Sequence, residues 1–151
     1  MGYREGHGFF YFSRLFESPS SYSPNVSLEM SIFVEICRWV SILAFLGYGT
    51  ACLLSNALIA EFERYGLPRL RRLVGAFELA GALGLIIGYR VPILGVYASA
   101  GLCLLMAFGI LTRIRIRDSF LLTLPAITLM LMNGVLFLQL WGAAARMGAP
   151  R

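Results

Sequence analysis

From Trp39 onward the chain repeats one pattern: a long apolar run, then a short polar stretch crowded with arginine. The first run covers about 36–60 and carries no charge between Arg38 and Glu61. The second, 73–89, lies between Arg72 and Arg90 and holds one charge, Glu78. The third covers 92–112. The fourth, 119–141, opens an uncharged stretch that reaches position 145. About 20 apolar residues in a helix cross a hydrocarbon layer of about 30 Å. The second run is short by that measure, and the first and fourth have length to spare for tilt. The pattern predicts an all-α integral membrane protein, a four-transmembrane-helix bundle over residues 30–151. Pro125 is expected to kink the last helix, and Trp141 to anchor its far end at the interface.

Residues 1–29 read differently and are expected to form an extramembrane arm. Its first half is aromatic (Phe9, Phe10, Tyr11, Phe12 and Phe16), and Ser18-Pro19-Ser20-Ser21-Tyr22-Ser23-Pro24 has the composition of a linker. The linker is too polar to fold alone. The aromatic cluster either dips its rings into the headgroup layer or docks on a neighbouring membrane protein. The start of the chain lacks the uninterrupted apolar core of a signal peptide.

Composition agrees with the pattern. The chain is 58% hydrophobic, its mean hydropathy is +0.74, and only 14% of its residues are charged. A soluble domain of this size has too much surface to carry so few charges. The net charge of +5 comes from arginine alone, because there is no lysine. The arginines sit at the ends of apolar runs, which suits lipid phosphates and argues against nucleic acid. The loops at 61–72 and 112–118 hold Arg64, Arg69, Arg71, Arg72, Arg113, Arg115 and Arg117, more than the opposite side carries. The positive-inside rule therefore puts both loops in the cytoplasm and both termini outside it, in a bacterial inner membrane. Cys37, Cys52 and Cys103 form no CxxC and read as small membrane-embedded residues.

Small residues mark the helix faces. Ala44, Gly47 and Ala51 share one side of the first run, and Gly84 with Gly88 makes a GxxxG in the second, read as close packing within the chain. Asn56, Glu78 and Thr123 lie at similar depths, roughly 8–9 Å from the arginine-bearing boundary, and are expected to form a buried polar layer. A carboxyl at that depth needs a proton or a hydrogen bond. Two roles compete for it: locking the helices together, or meeting a quinone headgroup, a lipid, a pigment or a proton path. No cofactor motif is evident. With His7, in the arm, as the sole histidine and no lysine, the usual histidine-base, Schiff-base and imidazole-ligand chemistries are missing, and no catalytic residue is assigned.

The stretch Phe62-Glu63-Arg64-Tyr65-Gly66-Leu67-Pro68, then Val74-Gly75 and Glu78-Leu79-Ala80-Gly81, resembles the DoxX-like family of four-span membrane proteins. Family members share an F-x-x-x-G-x-P turn after the first helix and a G-x-x-E-hydrophobic-x-G opening of the second. The likeness covers about 36–138 and lands on Phe62, Gly66, Pro68, Gly75, Glu78 and Gly81. The resemblance implies kinship with a subunit of an archaeal thiosulfate:quinone oxidoreductase, with members that maintain disulfide or redox state at membranes, and distantly with four-span assembly chaperones and cargo receptors. Many members carry a lysine near the end of helix 1 and a histidine after helix 3. This chain has neither, so the redox chemistry of those members does not carry over at those positions. The expected function is a non-catalytic accessory, structural or assembly subunit of a larger redox or energy-converting membrane complex, contacting lipid and other subunits, the latter through the arm. The alternatives are a quinone-interacting oxidoreductase subunit with Glu78 in proton exchange and, more weakly, a small transporter.

Overall fold

The computed structural model describes residues 24–148, and every regular element among them is a helix, with no strand. The aromatic cluster Phe9–Phe16 lies outside the described residues. The helices are α1 (Pro24–Leu54), α2 (Asn56–Arg64), α3 (Leu70–Ile87), α4 (Pro92–Arg115) and α5 (Phe120–Gly148). Proline suits the first turn of a helix, where its missing N–H is not needed. That rule holds at Pro24 and at Pro92.

The first apolar run is not one helix over 36–60. α1 starts twelve residues earlier, within what reads as arm and linker, and stops at Leu54. Ser55 is extended (φ −85°, ψ 128°), and a new short helix begins at Asn56. The break has a partner in space. The carbonyl of Cys52 would receive the Asn56 N–H in a continuous helix, but here it accepts a hydrogen bond from Arg71 at the start of α3. Arg38 does the same job at the other end of the α1–α3 pair. Its Nε and Nη2 donate to the Leu85 carbonyl at 3.2 and 2.7 Å, in the last turn of α3. A cation at a helix C-terminus both satisfies an orphan carbonyl and meets the negative end of the helix dipole. Two arginines thus staple antiparallel helices at both ends.

α2 and α4 end alike. Gly66 N–H bonds to Glu63 and Leu67 N–H to Phe62, each at 2.9 Å, while Arg117 N–H bonds to Ile114 and Asp118 N–H to Arg113, each at 3.0 Å. This is the Schellman arrangement, which needs a left-handed residue past the helix end. Gly66 adopts it at φ +71° without strain, and Arg117 adopts it at φ +56° with strain.

The four long helices form a square. α1 packs on α3 and α5, and α4 packs on the same two, with no close backbone approach across either diagonal among the described residues. The core between them is Ile42, Phe45, Ala82, Leu85, Leu102 and Leu129. Backbones meet where glycines oppose. A Cβ added to Gly49 would stand 3.0 Å from the Gly75 carbonyl oxygen, and one added to Gly75 would stand 3.0 Å from that of Gly49. On the other side of α3, Gly84 and Gly88 press against Ala98 and Gly95 of α4, so the GxxxG is used inside the chain. Gly47, expected on the packing face, faces outward, and a Cβ there would meet nothing within 4 Å; Ala51 is half-buried. The contact is set by where glycines of two helices fall opposite each other, and on α1 that is Gly49.

The outside of the bundle is apolar: Leu43, Leu54, Tyr97, Phe108, Leu121 and Leu131 are all well exposed. Such a surface is stable in lipid, where every backbone polar group is satisfied within its own helix. Three helical stretches, Leu28–Leu54, Pro92–Arg115 and Phe120–Arg146, are long and apolar enough to cross a membrane. α3, with Arg71, Arg72 and Glu78 among its 18 residues, is the more polar fourth wall.

Candidate functional site

A cavity of about 440 Å³ opens among all five helices at the arginine-rich end. Cys52 and Tyr48 of α1 and Glu78 of α3 line one side, and Met106 of α4 with Leu129 of α5 the other. Leu58 and Phe62 of α2 cover it, and Tyr65, Thr112 and Arg113 stand at its rim.

Glu78 is the one carboxylate in this lining. It is 5% exposed, and its Oε2 has no hydrogen-bond partner. The sequence around it explains how α3 can bury an acid. Gly75, one turn before, lets α1 close to the Cys52 Cβ, and Gly81, one turn after, lets Leu102 of α4 lie where a side chain would otherwise be. The G-x-x-E-x-x-G pattern thus clears both flanks of one carboxyl.

The expected polar layer is not assembled. Asn56 is exposed, because the break at Ser55 turns it out of the bundle as the first residue of α2. Thr123 is buried, but its hydroxyl donates to the Ser119 carbonyl of its own helix at 3.2 Å. Of the three, Glu78 alone lines the cavity. Of the other motif residues, Phe62 covers the cavity, Gly66 makes the left-handed turn, and Pro68 is exposed in the connection leading to α3.

Several polar residues that shape the interior were not singled out from the sequence. Arg38 is 4% exposed and stacks its guanidinium 3.6 Å from the Tyr89 ring centroid, while the Tyr89 hydroxyl donates to Glu35 at 2.6 Å. Asn133 is fully buried. Its Nδ2 donates to Ser41 Oγ at 3.1 Å and to the Leu129 carbonyl at 2.8 Å, leaving Oδ1 without a partner. An amide in the middle of the fourth apolar run was the available signal for it.

At the rim, Asp118 is the hub. Arg64 grips both its oxygens at 3.1 and 3.2 Å, and Arg113 adds a bond at 2.8 Å, leaving the side chain 5% exposed. The Arg64 grip first, and Arg113 after it, hold this carboxyl below its usual range. Glu61 is lowered too, chiefly because the Tyr65 hydroxyl donates to it and then through Arg64. Tyr65 is itself pushed up to about 12 by burial and by Glu61. Both carboxyls have depressed pKa values, so the ion pairs are complete at neutral pH and are lost only as pH falls through the acid range. Among the described residues no three His, Cys, Asp or Glu side chains come together to hold a metal ion.

Apolar helices of spanning length, arranged as a bundle around a recessed acid, define an integral membrane protein. The chain matches the model of the DoxX-like family over residues 36–135, and it belongs to that family. No curated protein and no solved structure matches it.

Proposed function

We propose that this protein is a four-span, non-catalytic subunit of a larger membrane complex. In this reading its cavity receives the polar head of an apolar, membrane-resident molecule of the quinone class. The observation that carries the reading is Glu78, a buried carboxyl with a partnerless oxygen in the wall of a mainly apolar cavity. A buried polar atom without a partner is costly, and such atoms persist where a ligand supplies the missing bond. A ring bearing carbonyl or hydroxyl groups offers that bond, and about 440 Å³ accepts one ring with the start of its tail. Glu78 would meet the head, with Cys52 and Tyr48 beside it. Met106, Leu129 and Phe62 would flank the apolar part. Glu78 is the one carboxyl in the lining, and in this reading the protein holds the head while partner subunits carry the electron transfer. Residues 1–29 serve as the docking arm, α3 completes the fourth crossing, and the arginine-rich loops face the cytoplasm of a bacterial inner membrane.

Two measurements on protein purified in mild detergent test this. A soluble short-chain quinone titrated into the preparation should give saturable binding, and non-saturating uptake like that of empty micelles would count against the site. Mass spectrometry of the same preparation should find a constant set of membrane subunits that is lost when residues 1–29 are deleted. A truncated protein that keeps all its companions would remove the docking role.

A further inference from the structure

α2 differs from the other helices in how it is held. None of its nine residues is buried, yet Leu58 and Phe62 lie over the cavity. It is bounded by two joints. Ser55, before it, is extended and makes no side-chain cap, and Gly66, after it, is left-handed at φ +71°. Movement at either joint need not break the helix between them. Besides the packing of its half-buried Leu58 and Phe62, what ties α2 to the bundle is the hydrogen-bonded fork from Arg64 to Asp118, a residue 54 positions away in the connection between α4 and α5. Asp118 is placed with care. It follows the strained left-handed Arg117, its N–H closes the Schellman turn on Arg113, and the Arg113 side chain braces its carboxylate while lining the cavity. Strain kept in a backbone at such a point is characteristic of switch and clamp regions. A paired, charge-assisted fork is strong enough to hold one short helix, and that helix contributes nothing to the buried core.

We infer that α2 is a hinged cover over the Glu78 cavity, latched by Arg64 on Asp118, and that opening this cover admits the ligand from the membrane surface. The inference rests on the proposed binding role only for what passes through. Its test uses no quinone, so failure of quinone binding leaves the cover to be judged separately.

Cys52 lines the cavity and reports on the cover. With Cys37 and Cys103 replaced by alanine, the reaction of Cys52 with an uncharged, membrane-permeant maleimide is followed in detergent at one pH. Asp118→Asn and Arg64→Gln should each speed labelling about tenfold, as expected when a local opening is released. A second background retains only Cys37, which is buried in α1 several turns before Cys52 and does not line the cavity, and its labelling should not change. Acceleration at Cys52 but not at Cys37 in either folded variant supports the cover. Unchanged labelling of Cys52, or equal acceleration at both cysteines, overturns it.

Discussion

Glu78→Leu is expected to make the protein more stable and to abolish quinone binding. The carboxyl is buried with one oxygen unpaired. Removing such a group relieves roughly 1–3 kcal/mol of desolvation cost, and leucine fills nearly the same space. If Glu78 instead locked the helices by hydrogen bonds, the same substitution would lower stability. The sign of the change therefore separates the two roles that the sequence left open. Glu78→Gln, which keeps shape and some hydrogen bonding, should fold as the parent does and bind the quinone about tenfold or more weaker, the worth of one good hydrogen bond. Thermal unfolding in detergent with a quinone titration on the same samples reads both quantities. A lower melting temperature for Glu78→Leu, or undiminished binding by both variants, would contradict the proposed site.

Gly75→Leu should prevent recovery of folded protein. A Cβ at Gly75 stands 2.8 Å from the Cys52 Cβ and 3.0 Å from the Gly49 carbonyl, so α1 and α3 must separate. Overpacking alone costs about 1–3 kcal/mol. Separation also threatens the two arginine staples, because Arg71 reaches Cys52 and Arg38 reaches Leu85 across this same interface. Each bond to a charged group is worth about 1.5–3 kcal/mol. Together these approach an ordinary stability of about 5–15 kcal/mol. Gly47→Leu on α1, the helix that Gly75 packs against, is the control, since its Cβ has open space and the protein should elute and melt as the parent does. A Gly75→Leu protein that is monodisperse with an unchanged melt would show that the interface does not depend on this contact.

Periodicity and hydropathy located most of the helices well. The runs at 73–89, 92–112 and 119–141 became Leu70–Ile87, Pro92–Arg115 and Phe120–Gly148, because long apolar stretches between arginines have no other stable form in lipid. The first run misled because hydropathy averages over 36–60 without seeing what caps a carbonyl. The break after Leu54 coincides with Arg71 standing at the Cys52 carbonyl, from a helix sixteen residues further on. The same break turns Asn56 out of the interior. Glu78 was legible, since an acid in an apolar run stands out. Asp118 was not, because its importance lies in Arg64 reaching it from 54 residues away. The face of α1 was misjudged by one glycine, because spacing within a helix cannot say which glycine will find another opposite it.

The whole reading depends on α3 crossing the membrane despite its charges, so that Glu78 sits between leaflets among the other helices. Single cysteines placed at Arg69, before α3, and at Val91, after it, in an otherwise cysteine-free protein test this in intact cells with a membrane-impermeant maleimide. The account predicts that the two positions label from opposite sides, with position 91 reached from outside and position 69 only after permeabilisation. Labelling of both from the same side would contradict it.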